Sequence, residues 1–523
     1  MANAVSVRES LGRSLLLFLA ALLPSALVAI FRYDWSLPPF EDAAMLMRYA
    51  GHFAEGYGIV WNPGDPPVDG ATDFLFMVLV AGVHKLGFSL PDAVRLLSTL
   101  AHVATLWLVF RINVRRHRTG VGIALASVAY LSLGPGLVYL ESYFGTPVFA
   151  LAGLLTYRSF LWLLQRDRPS DALQFAIWGL VTGLIRPEGV LLAGAMLVTL
   201  FVAKGGKAFR PIVLAFGMVF GVLGGAYFIW HWWYFGHPLP NPFYIKGGGA
   251  IYVSSLRAAV INTMLLALPL LPLFLYGMWK QRMRPRVIIL LAPVVGFVVV
   301  WILMSNAMNY AMRFQYVLLP ILMVAWTPIL QDLLRNYPQR AWLRIAGSVL
   351  VVAALTYQYL RYHDAARMFP DGRVELARTL APFAGKGYTM AVTEAGNLPL
   401  FSQWRAVDTW GLNDREIAHA GSVTTEYLDR YRPEMIVVHD YWAPGYEKRI
   451  QEPKWARMTD TLETYVAARG YKLVACYGAD PHNTHFYYLL PDFPDFARIR
   501  TLIRNLPYPW YENGRPAVNF VPK

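Results

Sequence analysis

The chain has 523 residues, 56% of them hydrophobic and only 15% charged, with a mean hydropathy of +0.38; that composition excludes a water-soluble globule and calls for lipid as solvent. The 47 Lys and Arg outnumber the 33 Asp and Glu, for a net charge of +14, yet the basic residues stand in short clusters between apolar stretches, as in cytoplasmic loops, and not on one face that would suit nucleic acid. A single cysteine, Cys476, excludes an intrachain disulfide framework and a Cys-based zinc site.

Arg8 and Arg13 precede the apolar run 14–31, which is long enough to cross the hydrocarbon core. Ser25 to Ala29 is a poor small-residue cleavage site and further apolar stretches follow, so the run reads as a span and not as a cleaved leader. Basic clusters at 115–118, 166–168, 204–210, 280–286 and 335–344 are assigned to the cytoplasmic side. The outer connections are then 32–72, about 132–146, the turn 186–189, 232–252 and 305–313, and they hold most of the unusual polar residues. Segment 73–112 has apolar sequence for two crossings where the charge pattern permits an odd number, so one full span and one partial or interfacial segment are expected, broken at Pro91-Asp92. This reading predicts an α-helical polytopic domain of about ten or eleven spans over 1–360.

After the last apolar stretch, 343–360, the composition becomes that of a globular domain. Strand-like runs at 388–392, 435–438, 472–476 and 486–490 alternate with helical spacing such as 459–468, which predicts an extracytoplasmic α/β domain over 361–523. No nucleophile triad, phosphate loop or metal cluster is legible there, and no cofactor is expected. His482 and His485, near Asp480, read as exposed loop residues and not as metal ligands.

Four outer features carry candidate chemistry. Glu41 and Asp42 open a helical stretch in the first outer loop; adjacent carboxylates there either favour the helix dipole or supply a general base at the mouth of a membrane cavity. Asp65, Asp69 and Asp73 add acidity to the same loop, some of them merely solvated. Arg186 and Glu188 interrupt an apolar stretch, where ionisable groups are costly; they form either an ion pair closing a helix hairpin or, through Arg186, a phosphate site. His237, Asn241 and Lys246 stand out in the aromatic, Pro-rich loop 232–246, and Arg313 begins the next inward span.

In this order, the acidic pair, Arg48-Tyr49-Ala50, Gly56-x-Gly58, Trp61-Asn62-Pro63-Gly64 with Thr72, Arg186-Pro187-Glu188-Gly189, the run Phe235 to Asn241 with Lys246, Ala395-Gly396 and Asp408 to Asp414 resemble the C-type (GT-C) membrane glycosyltransferases that use polyprenyl-phosphate sugars. The mycobacterial-type arabinofuranosyltransferases are the nearest likeness. The resemblance implies Asp42 as the catalytic carboxylate with Glu41 beside it, a position where relatives usually carry Asp. It also departs at Gly145, where relatives tend to have a glutamate, leaving Glu141 as a possible substitute. Arg186, Lys246, Arg313 and His237 become candidates for the donor phosphate, and Glu188, Asn241, Asp408, Trp410 and Asn413 for substrate or acceptor. For Asp408 to Asp414 a capped structural turn is the alternative.

The function expected is transfer of a sugar, arabinofuranose or another pentose or hexose, from a polyprenyl-phosphate donor to a hydroxyl of an envelope glycan or glycoprotein, at the outer face of a bacterial inner membrane. The rival is a transporter or flippase of a lipid-linked sugar, which predicts broken helices with ionisable groups near mid-membrane and related halves.

Overall fold

A computed structural model of the chain describes residues 2–116, 121–205, 209–246, 248–337, 341–362, 371–440, 452–480, 483–507, 511–512 and 515–516; Arg118, Lys207, Arg340 and His482 fall outside them. In chain order the helices are α1 (Ala2–Arg32), α2 (Glu41–Ala54), α3 (Phe74–Lys85), α4 (Leu90–Arg111), α5 (Val121–Leu133), α6 (Gly136–Glu141), α7 (Thr146–Leu163), α8 (Pro169–Ile185) and α9 (Glu188–Lys204). Next come α10 (Phe209–Phe216), which runs through a wide turn into α11 (Gly225–Phe235), and the short α12 (Asn241–Ile245). Among the described residues, Leu90–Arg115, Arg210–Phe235, Arg284–Leu303, Leu318–Asn336 and Ala341–Arg361 are long and apolar enough to cross a membrane. A sixth candidate is the pair Val253–Leu266 and Leu268–Trp279, bent by 67° where Pro269 and Pro272 each remove a backbone donor.

Segment 73–112 resolves into the 12-residue α3 and the 22-residue α4, one short apolar helix and one of full length. The break falls at 86–89 and not at Pro91-Asp92: Ser89 caps α4 by accepting from the Asp92 N–H at 3.2 Å, and Pro91 sits in the first turn, where its missing N–H costs nothing.

The C-terminal part forms a five-stranded sheet in the order β2-β1-β3-β5-β4. Its strands are β1 (Thr389–Val392), β2 (Arg405–Asp408), β3 (Met435–Asp440), β4 (Lys472–Asp480) and β5 (Asn483–Leu489). β1 pairs in parallel with β2 and β3, whereas β5 runs antiparallel between β3 and β4. Side chains alternate across the sheet: Ala391, Ile436 and Val438 pack with Trp455 and Leu462 of helix Pro453–Ala468, and Met390, Val392 and Val437 join the core containing Ile499 and Ile503 of helix Phe496–Arg504. The edge strand β2 escapes sequence pattern because only Ala406 and Val407 of its four residues are apolar.

This sheet is tied to the outer loops by buried polar groups. Asn62 mimics a strand partner for the β2 edge, accepting from the Ala406 N–H at 2.9 Å and donating to the Ala406 carbonyl at 3.1 Å, so the edge is covered. The buried Arg48 of α2 donates to the carbonyls of Trp61 (2.9 Å), Trp404 (2.9 Å) and Pro399 and to Asn62 Oδ1 (3.0 Å). Asn241 Nδ2, at the start of α12, donates to the carbonyls of Gly411, Leu412 and Asp414 at 2.9, 3.0 and 3.1 Å. The α/β domain therefore stands on the side of the helices from which loops 32–72 and 232–252 emerge.

Candidate active site

Successive residues of a helix point about 100° apart, so the adjacent carboxylates that open α2 go to different places. Asp42 faces a cavity of about 110 Å³ lined also by Thr72, Asp73, Arg186, Lys246 and Arg313. Glu41 does not line it. Instead its Oε2 accepts from the N–H groups of Gly396 (2.7 Å) and Asn397 (3.1 Å), its Oε1 accepts from Asn397 Nδ2 at 2.9 Å, and Arg373 stands 2.9 Å away. A Cβ on Gly396 would lie 2.2 Å from Glu41 Oε2, so this approach requires glycine. Burial, only partly offset by Arg373, pushes the Glu41 carboxyl up to about 7.

The cavity draws its charges from five separate places in the chain. Arg186 ends α8 in an extended conformation and turns its guanidinium onto Asp73 at 3.0 Å and Glu188 at 2.7 Å. The ion pair expected at the hairpin is present, and Asp73, which from sequence reads as one more acidic loop residue, is its second partner and is buried. Arg313 pairs with Asp42 and lies over the Phe144 ring, 4.3 Å from its centroid. Its approach is set by a left-handed backbone at Ala311 (φ 50°) and Met312 (φ 59°), and Tyr143 (φ 64°), which also lines the cavity, adds a third such residue. Non-glycine residues in that region cost roughly 1–3 kcal/mol each; the Tyr139 hydroxyl, donating to the Ala311 carbonyl at 2.6 Å, helps to hold the turn.

Lys246 follows α12 and differs from the two arginines. Among the described residues its ammonium has no ion-pair or hydrogen-bond partner. Burial holds it below the usual lysine range, with Asp42 pulling it back up. Among the lining residues two carboxylates, Asp42 and Asp73, thus face three cations, Arg186, Arg313 and Lys246. With Arg186 paired to Asp73 and to Glu188 outside the lining and Arg313 paired to Asp42, Lys246 is the cation left without an ion pair among the described residues.

The remaining candidates lie elsewhere. His237 is outside the small cavity and lines a cleft of about 680 Å³ together with Asp65, Asn413, Arg415 and His419; its ring is 4.3 Å from that of His419. Asn241 is buried with its amide committed to three carbonyls. Asp408 accepts from the N–H groups of Trp410, Gly411 and Asn413 at 3.1, 3.2 and 2.8 Å and from Asn413 Nδ2 at 2.9 Å. Asp408 to Asn413 is therefore the capped turn, and burial pushes Asp408 up to about 6. Trp410 packs 5.2 Å from Trp455, and Asn413 and Leu412 separate the large cleft from the small one. At Gly145 a Cβ would lie 2.4 Å from the Phe76 ring, so a glutamate has no room there. Glu141 does not replace it, being buried outside the cavity lining with Oε1 accepting from the Asp34 N–H at 2.9 Å. His485 lies buried within β5, not exposed on a loop.

A family model described as a domain of unknown function (DUF8728) matches residues 358–489. No curated protein matches the chain in sequence. Among solved structures, ArnT from Cupriavidus metallidurans in the apo state superposes with a TM-score of 0.56 at 14% identity, covering 91% of this chain and 98% of that one. The same protein bound to undecaprenyl phosphate gives 0.52 at 14% identity, covering 90% and 97%. The arabinofuranosyltransferase AftD from Mycobacteria reaches 0.48 at 16% identity, covering 90% of this chain and 40% of that one, a likeness too low to argue from. The chain has the GT-C fold, a helical membrane part followed by a C-terminal α/β domain.

Proposed function

We propose that this GT-C chain is a membrane glycosyltransferase that moves a sugar from a polyprenyl-phosphate donor to a hydroxyl of an envelope glycan or glycoprotein at the extracytoplasmic face of a bacterial inner membrane. The observation that carries the reading is the small cavity in which one carboxylate, Asp42, faces an unpaired cation, Lys246, and two arginines at the junction of outer loops and helices. Support of a second kind is the fold shared with ArnT, which has been solved with undecaprenyl phosphate.

In the reaction, the acceptor hydroxyl gives its proton to Asp42 as its oxygen attacks the anomeric carbon. The bond from that carbon to the donor phosphate oxygen breaks, and the electron pair leaves on the phosphate to give polyprenyl phosphate. Lys246 and Arg313 stabilise the charge that gathers on the departing phosphate. Since phosphate leaves without protonation, a single carboxylate suffices, unlike the paired carboxylates of glycosidases. Arg186, already balanced by Asp73 and Glu188, shapes the positive wall of the cavity. Glu41 acts as a positioning residue, fixing the first turn of α2 on the α/β domain. The cleft at Asp65, His237 and Asn413 provides the acceptor approach, and the transferred sugar is arabinofuranose or another pentose or hexose.

Purified protein supplied with radiolabelled polyprenyl-phosphate sugars and a glycan acceptor is expected to form labelled glycan and release polyprenyl phosphate. Movement of the labelled lipid across a proteoliposome membrane without any transfer would overturn this reading in favour of a flippase.

A further inference from the structure

Strand register in the α/β domain brings together residues that lie far apart in the chain. His439 of β3 and His485 of β5 are direct cross-strand partners. Their side chains therefore rise on the same face, with rings 4.3 Å apart and only 14° from parallel. Glu394 follows the end of β1, the neighbouring strand. Its Oε1 is 3.0 Å from His439 Nδ1 and its Oε2 is 2.8 Å from His485 Nε2. Both histidines are buried, and the three ligand atoms lie within 4.8 Å of one another. Ligands of a tetrahedral zinc ion, each at about 2.0–2.1 Å from the metal, stand roughly 3.3 Å apart, so only small shifts would seat a cation between them.

Two further observations point the same way. Among the described residues the second nitrogen of His485, Nδ1, is buried without a hydrogen-bond partner, and the Asp371 Oδ2 faces it at 4.0 Å. At that distance no hydrogen bond forms, and an approach of about 1 Å would give the carboxylate–histidine pair that fixes the tautomer of a metal-binding histidine. In addition, the carboxylates of Glu41, Asp371 and Glu394 all converge on the single guanidinium of Arg373, a buried excess of negative charge that a divalent cation would offset. Glu394 has two oxygens, and one can keep Arg373 while the other binds the ion.

We propose that Glu394, His439 and His485 form a site for a divalent cation of the zinc class, with Asp371 orienting His485. The site ties the ends of three strands together, and through Arg373 it anchors the Glu41 contact that holds the first turn of α2.

The test uses full-length, tag-free protein in detergent, treated with chelator and titrated with zinc chloride, with bound metal measured by elemental analysis after gel filtration. About one equivalent is expected, together with a rise in melting temperature. Glu394→Gln and His485→Ala should abolish both effects, and Asp371→Asn should weaken affinity about 10- to 100-fold. A wild-type protein that retains no zinc, or zinc retained in full by both ligand variants, would overturn the proposal. Should the variants not fold, cobalt(II) added to the wild type decides: nitrogen-ligated tetrahedral absorption bands displaced by zinc support the site, and their absence refutes it.

Discussion

Replacing Lys246 by Met separates binding from stability in a way that the geometry makes quantitative. The ammonium has no partner among the described residues and is held below its usual range by burial, so its removal leaves no buried carboxylate stranded. Thermal stability should not fall by more than about 0.5 kcal/mol, and relief of the buried charge acts towards a gain. A charge-assisted hydrogen bond to phosphate is worth roughly 1.5–3 kcal/mol, which corresponds to a loss of about 10- to 150-fold in affinity for polyprenyl phosphate. Arg186→Met is the opposite case. It strands Asp73 and Glu188, both buried beside it, and should destabilise the protein by about 3–5 kcal/mol. Titration of a short-chain polyprenyl phosphate by thermophoresis, alongside melting curves in the same detergent, reads both effects. Binding by Lys246→Met within threefold of wild type, or a melting temperature as depressed as that of Arg186→Met, would refute the assignment of Lys246 as the unpaired cation that takes the phosphate.

Glu41→Gln keeps its size and part of its hydrogen bonding on Gly396 and Asn397, so turnover should fall by less than about tenfold; general acid–base groups lost outright cost 10² or more, and a drop of that size in a transfer assay would return Glu41 to the chemistry. Arg48→Ala removes a buried cation that donates to three carbonyls and Asn62, and amide exchange measured by mass spectrometry should accelerate in 397–406 and 60–62 as the domain loosens. Burial and Arg48 hold the His52 imidazole down to about 4 from 6.5, so it is neutral in the folded protein. That contribution to stability is complete above pH 6.5 and is lost as pH falls from there to about 4. The full effect is roughly 3 kcal/mol, and melting curves of His52→Gln should be flatter across that window than those of the wild type.

Much of the architecture is legible in the chain because its causes are local. Apolar runs between basic clusters mark helices that need lipid, and β1, β3, β4 and β5 announce themselves as short strand-like runs rich in β-branched and aromatic residues. The four-residue β2 does not, since it has only two apolar residues and its open edge is covered by Asn62, more than 340 positions away. At the site, sequence singles out Asp42, Arg186, Lys246 and Arg313, and the fold brings them to one cavity. What sequence cannot supply is direction. Glu41 differs from Asp42 by one helical step and points into another set of contacts. Asn241 and Asp408 look like ligand-binding polar residues but satisfy backbone groups at the joint between loops and domain. Asp73 reads as a solvated loop residue because the guanidinium that buries it is 113 positions distant. Likewise His485 gains its neighbours His439 and Glu394 only through strand register.

The most direct measurement is single-turnover sugar transfer by Asp42→Asn, combined with titration of the donor lipid against the same preparation. Donor affinity is expected within about threefold of wild type and transfer slowed by at least about 10², because the amide preserves shape but cannot take the acceptor proton. Transfer at the wild-type rate by a folded, donor-binding Asp42→Asn protein would contradict the role of Asp42 as the base.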